Sequence, residues 1–246
     1  MKRIAVYGLT GIIILLFWHF LSIMVNSPVI PRPVEVAGVL SGKFVSKLML
    51  HILSSTRRII IAIAAAFIVA LPLGIGVGRV KVLDRVLSPV LYFFYPVPKI
   101  AFLPIILILA GLGEASKLIL IGIIVFFHLV IAVRDAAAGT SDELFYILRV
   151  MGAGWEHSIF HIIIPSILPA VFTALRISLG TAIAVLFFSE TIVTNTGIGY
   201  LIMDSWVRVN YPEMYASIAG LSLMGLLLFG LLDLLEAKLC GWKQHS

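Results

Sequence analysis

Six apolar runs occupy most of this chain, and they leave it few ways to fold. They span residues 4–25, 59–77, 87–112, 118–133, 167–188 and 214–232. A helix of about 20 apolar residues crosses the roughly 30 Å hydrocarbon core of a bilayer. Inside lipid, every backbone polar group must be satisfied within the protein, which restricts spanning segments to helices and closed barrels. Hydrophobic residues make up 61% of the 246 positions and charged residues only 12%. A soluble domain carries about 45–50% and 25%, so lipid has to absorb the excess. The expectation is an all-α integral membrane protein with about six transmembrane helices.

Two of the runs are irregular. The third is interrupted by Pro89, Pro96, Pro98 and Pro104 and contains Lys99, so its freed backbone groups need protein or water. That places it beside an interface or cavity. The fourth holds only 16 uncharged residues, about 24 Å of helix, and leans on Lys117 and Arg134 at its ends. The first run follows Met1-Lys2-Arg3 and lacks a small-residue cleavage site, so it reads as a retained, peripheral anchor. A short helix at the membrane interface is expected after Pro31 and Pro33.

The net charge of +6 comes from basic residues scattered between apolar runs. These set membrane topology and are not a nucleic-acid surface. A cytoplasmic N-terminus puts nine Lys and Arg inside and seven outside, with the short turn at 78–85 the most telling. The lone Cys240 excludes an intrachain disulfide. No G-x-x-x-x-G-K-[ST] phosphate loop, H-E-x-x-H zinc motif or G-x-S-x-G elbow occurs. The chain is expected to be non-catalytic, to hold no metal or cofactor, and to draw its energy from a partner or an ion gradient.

One long polar element stands out, at 134–165, with four of the twelve acidic residues. Ser141 precedes Asp142 and Glu143, an N-cap with acids in the first turn. Leu144, Ile147, Leu148 and Met151 recur at helical spacing, and Gly152 stands where a helix C-cap would. A second short helix over 155–162 leads to Pro165 in the first turn of the next span. The hairpin either joins two spans or docks Tyr146, Ile147 and Leu148 into a soluble partner.

The spacing Gly152-Ala153, then Ile162-x-Ile164-Pro165, resembles the cytoplasmic EAA loop of ABC importer permeases. Tyr146-Ile147-Leu148 occupy the E-A-A positions and depart from them, with Glu143 the nearest acid one turn earlier. Further stretches are similar to the sulfonate, taurine and nitrate branch of that family: Pro96-x-Pro98 with Ala101-x-x-Pro104, Gly111-x-Gly113-Glu114-x-Ser116-Lys117, Leu175-Arg176-Ile177-x-Leu179-Gly180, and Glu190 with Gly197-Ile198-Gly199-Tyr200-Leu201-Ile202.

The resemblance implies a type I ABC importer permease over residues 1–246 as one membrane domain. It would comprise a peripheral first helix at 4–25, a permease core at about 50–240 and the coupling hairpin at about 134–165. It further implies a homodimer in a prokaryotic inner membrane with both termini cytoplasmic. Two separate ATPase subunits would bind the ATP, an extracytoplasmic binding protein would deliver substrate, and the cargo would be a sulfonate, taurine, nitrate or a vitamin precursor.

Pro96, Pro98, Lys99, Arg176 and Glu190 are the candidates for the translocation path or for buried structural polar groups. Arg176 and Glu190 lie fourteen residues apart, about 21 Å along one helix, so each is expected to find partners elsewhere. An intramembrane charge is costly unless paired or wet. The competing reading is a secondary transporter or channel coupled through His128, Arg176 and Glu190. An intramembrane enzyme is a third, disfavoured because no acid/base or metal constellation shares a helix face.

Overall fold

The computed structural model describes residues 2–152, 154–192 and 194–241. Among them there are only helices, in the order α1 (Lys2–Val25), α2 (Pro33–Leu40), α3 (Phe44–Arg79), α4 (Lys81–Phe94), a 3₁₀ turn (Lys99–Phe102), α5 (Leu103–Ala110), α6 (Glu114–Ala138), α7 (Asp142–Val150), α8 (Trp155–Ser158), a π turn (Ile159–Ile163), α9 (Ile164–Ile192), α10 (Ile198–Val207) and α11 (Tyr211–Leu239). Among the described residues, five helices are long and apolar enough to cross a membrane, and a sixth span forms if the bent pair Lys81–Phe94 and Lys99–Ala110 counts as one.

Most spans outrun their apolar runs because charged residues at their ends have partners. The second starts at Phe44, not at 59, and passes straight through Arg57 and Arg58. Arg58 is 3% exposed and its Nε donates to Glu114 Oε2 at 2.7 Å. The same contact lets α6 begin at Glu114, ahead of the apolar stretch. Likewise α11 runs on past 232 through Asp233 and Glu236. The hairpin's second short helix does not stop at 162: α8, the π turn and α9 form one continuous helix, Trp155–Ile192. The π turn lies directly before Pro165, where a proline's missing N–H and ring disturb the i→i−4 ladder.

The third span is broken as its prolines require. The axes of the pair Lys81–Phe94 and Lys99–Ala110 differ by 84°, with Pro96 and Pro98 in the break. Pro89 is accommodated inside α4 and Pro104 in the first turn of α5. Helix α2 starts at Pro33, and the Glu35 carboxylate accepts the Arg32 amide at 3.1 Å.

The chain divides into two compact units. One comprises Met1–Ser55 with Glu190–Met224, the other Thr56–Ser189 with Gly225–Ser246. In the first, Trp18 of α1 stacks on Tyr215 at 5.6 Å, and α10 is a helix that its short apolar run did not announce. Its start is tied down by a buried polar cluster. Ser55 Oγ donates to the Glu190 carboxylate at 2.8 Å and accepts the Ile198 amide at 2.9 Å. His51 Nδ1 accepts the Gly197 amide at 2.9 Å, and Glu190 Oε2 accepts that of Gly199 at 2.9 Å.

In the second unit α3 and α6 cross closely. A Cβ on Gly74 would lie 2.7 Å from the Val133 side chain, and one on Gly78 would lie 2.5 Å from the Arg134 carbonyl. Small residues four apart are the usual means of bringing membrane helices into contact.

Gly197 has φ +115°, and a Cβ there would sit 2.2 Å from the Glu190 carboxyl carbon. Gly197→Ala therefore combines backbone strain with a clash against a buried carboxylate. A loss of about 1–3 kcal/mol is expected from the strain alone. Thermal unfolding of the detergent-solubilised protein measures it, and Gly230→Ala, where a Cβ meets nothing within 4 Å, should leave the midpoint near wild type.

Candidate functional site

The polar hairpin is built from the end of α6 through α8, inside the second unit. Helix α6 ends at Ala138, and residues 139–141 turn the chain into α7. Ser141 Oγ accepts the Glu143 amide at 3.2 Å, which satisfies one orphan donor of the helix start. At the other end Gly152 takes φ +77°, the left-handed geometry of a helix terminus. Nothing lies within 4 Å of a Cβ added there, so glycine is needed at this position for its backbone and not for space. The expectation placed on Ala153 lies outside the described residues.

One face of α7 is held and the opposite one is open. Phe145 is buried, with the Arg79 guanidinium 4.0 Å above its ring. Arg79 also donates to the carbonyls of Ala137 at 3.4 Å and Thr140 at 3.2 Å, and to Asp142 Oδ1 at 3.0 Å. Tyr146 (71% exposed), Ile147, Val150 and Met151 (76% exposed) all face outward. Leu148 is half-buried and Glu143 exposed. After the turn, Ile162 is buried in the π turn, while Ile164 and Pro165 are half-buried at the start of α9.

Beside the hairpin, Arg134 of α6 grips α4. Its Nε and Nη2 donate to Asp84 Oδ1 at 3.0 and 2.6 Å and its Nη1 to Asp135 at 2.8 Å. The Tyr92 hydroxyl donates to Asp135 at 2.9 Å, and the Ser88 hydroxyl to Asp84 at 2.5 Å.

The other candidates divide into separate settings. Pro96 and Pro98 are exposed at the break between α4 and α5, and half-buried Lys99 donates to the Tyr95 carbonyl. The Lys99 ammonium also lies 4.9 Å from the Phe127 ring centre. Next to it, Tyr95, His128, Asp135, Thr173 and Ile177 line a cleft of about 480 Å³. His128 Nδ1 is buried without a hydrogen-bond partner among the described residues.

Arg176 is not buried: its side chain is 41% exposed, and it pairs with Asp233 at 2.5 Å and Glu236 at 2.7 Å. Glu190 is enclosed by the Ser55 hydroxyl and the Gly199 amide. Sequence reasoning missed Arg79, Phe145 and Asp84 around the hairpin, and His51 and Ser55 at Glu190. The spacing of His51, Ser55 and Arg58 at i, i+4 and i+7 does mark a single polar helix face. A span begun at 59 leaves that face outside the helix and so hides it. Among the described residues, no three His, Cys, Asp or Glu side chains group where a metal ion could sit.

Residues 63–239 match the family described as the binding-protein-dependent transport system inner membrane component, and the chain belongs to that family. It is 26% identical over 242 residues to the taurine transport system permease protein TauC of Escherichia coli (strain K12), covering 96% of this chain and 88% of that one. It is 27% identical over 188 residues to the nitrate import permease protein NrtB of Synechocystis sp., covering 76% and 68%. A solved structure of the MetNI methionine ABC transporter, in an inward facing conformation, superposes with TM-score 0.67 at 18% identity over 80% of this chain and 99% of that one. The fold is thus that of a type I ABC importer permease.

Arg176→Leu should strand Asp233 and Glu236 on α11 and lower the thermal midpoint of the solubilised protein. Asp233→Asn added to it should recover part of the loss, whereas Glu190→Gln should recover none. Equal recovery by both would mean that the pairing at 2.5 Å does not matter to stability.

Proposed function

We propose that this subunit, as a homodimer, forms the translocation path of an ATP-driven importer, with α7 the surface on which a separate ATPase subunit docks. The open apolar face of α7 carries this reading. Tyr146, Ile147, Val150 and Met151 stand out from a helix whose other face is fixed by Phe145 and Arg79. An amphipathic helix presented in this way is the form that fits a groove on a soluble partner. Its Ser141 cap and the left-handed Gly152 keep it short and defined at both ends.

The orientation that follows places α7 and both chain termini in the cytoplasm of a prokaryotic cell, with the subunit in its inner membrane. An extracytoplasmic binding protein would meet the opposite side of the membrane. Relatives whose names specify taurine or nitrate support a small organic solute or anion as cargo. The path would include the cleft of Tyr95, His128 and Thr173 and the break near Lys99. The ion-coupled alternative is less well supported, because Arg176 is engaged by two carboxylates and Glu190 by hydroxyl and amide donors.

Ile147→Asp and Tyr146→Ala should each weaken co-purification of the ATPase subunit by about tenfold or more, a loss on the order of the 2 kcal/mol expected of a central aromatic or apolar anchor. Phe160→Ala, exposed on the following helix, is the control. Retention of full binding by the α7 variants would overturn the docking assignment. The permease purified alone should release no phosphate from ATP, and hydrolysis by the isolated subunit would defeat the division of labour proposed here.

A further inference from the structure

Two places in the second unit could act as hinges, and an arginine spans each. The first is the turn 139–141 between α6 and α7. Arg79 holds the chain before the turn (Ala137 carbonyl), within it (Thr140 carbonyl) and after it (Asp142 and the Phe145 ring). The second is Val80, the one residue between α3 and α4, whose extended backbone (ψ 105°) breaks the helix. Arg134 bridges from α6 to Asp84 in the first turn of α4, and the Tyr92–Asp135 bond adds a second tie two turns further on. Between the two arginines, Gly74 and Gly78 let α3 and α6 touch so closely that no side chain would fit.

A guanidinium is a planar fork whose donors are already arranged, so little freedom remains once several are engaged. Ion pairs of this kind also gain strength where water is partly excluded. Packed elements tied in this way shift as bodies instead of deforming continuously.

The geometry points to Arg79 and Arg134 as the positioning residues of a single mechanical link. They make α7 and α4 move as one body, so that displacement of α7 reaches the Tyr95–Pro98 break. This rests on α7 being the ATPase-docking helix. Neither arginine lines the cleft beside Tyr95. Each acts through the helix that it holds, and the two hinges would open without them.

The link is testable without knowing the cargo. In a Cys240→Ser background, spin labels are placed at Val82→Cys on α4 and Glu143→Cys on α7, both exposed. The complete permease–ATPase complex, diluted with unlabelled subunit, is reconstituted in lipid nanodiscs and measured by pulsed dipolar spectroscopy without nucleotide and with ATP and vanadate. The distance within one subunit should be the same in both states. With Arg79→Gln or Arg134→Gln it should broaden or move by roughly 2–5 Å between states, the scale of a helix shift, while ATP hydrolysis continues. Arg79→Lys and Arg134→Lys should give intermediate widths.

A distance that changes with nucleotide in the unsubstituted pair, or that stays fixed in both glutamine variants, overturns the link. Failure of the docking reading shows itself separately, as an ATPase that does not co-purify with the unlabelled subunit.

Discussion

A charge can enter a membrane helix only together with whatever neutralises it, and that requirement shapes the larger unit more than the apolar runs do. Unpaired, an arginine at mid-bilayer costs at least about 2.5–3.5 kcal/mol. Here Arg58 meets Glu114, Arg134 meets Asp84 and Asp135, and Arg176 meets Asp233 and Glu236. Except for the neighbouring pair Arg134–Asp135 within α6, each pairing joins two helices, and each lies where one of them continues past its apolar stretch. The pairs therefore set both the length of the helices and their neighbours. Apolar packing fills what lies between, aided at Gly74 and Gly78 by the absence of side chains.

The smaller unit holds the start of α10 on a carboxylate. Glu190 is almost wholly buried, and its oxygens accept from the Ser55 hydroxyl and from the Gly199 amide at the start of α10. A helix start supplies free N–H groups and the positive end of the peptide dipoles, so a carboxylate can be stabilised there. Gly197 is the enabling residue, since its positive φ and missing Cβ let the chain pass directly over the acid. In the sequence this appears only as a glutamate seven residues before a glycine.

The fold class was legible because repeated hydrophobic runs of bilayer length suit a helical membrane bundle and little else. The break at Pro96 and Pro98 was legible because proline removes a donor and fixes φ. The ends of α7 were readable from Ser141 and Gly152, each of which has a specific local conformation. What could not be read were features that depend on residues distant in the chain. Spacing puts Arg58 on one face with His51 and Ser55, but nothing local names its partner Glu114, fifty-six positions later. A span drawn from hydropathy therefore begins at 59 and leaves out His51 and Ser55. For the same reason Asp233 and Glu236 look like solvated residues beyond a helix end, while Arg176 looks solitary.

The bend between α4 and α5 also bears on how such a chain is assembled. Pro96 and Pro98 bring no N–H to a stretch whose carbonyls have left the helical ladder, and that stretch is costly in hydrocarbon until something covers it. The cover comes from later in the sequence: Phe127 beneath the Lys99 ammonium and His128 edge-on to Tyr95, both on α6. During synthesis the bent pair would leave the insertion machinery before its cover exists. Its stable residence in lipid then awaits α6, and the two would be expected to partition into the bilayer together and not one after the other.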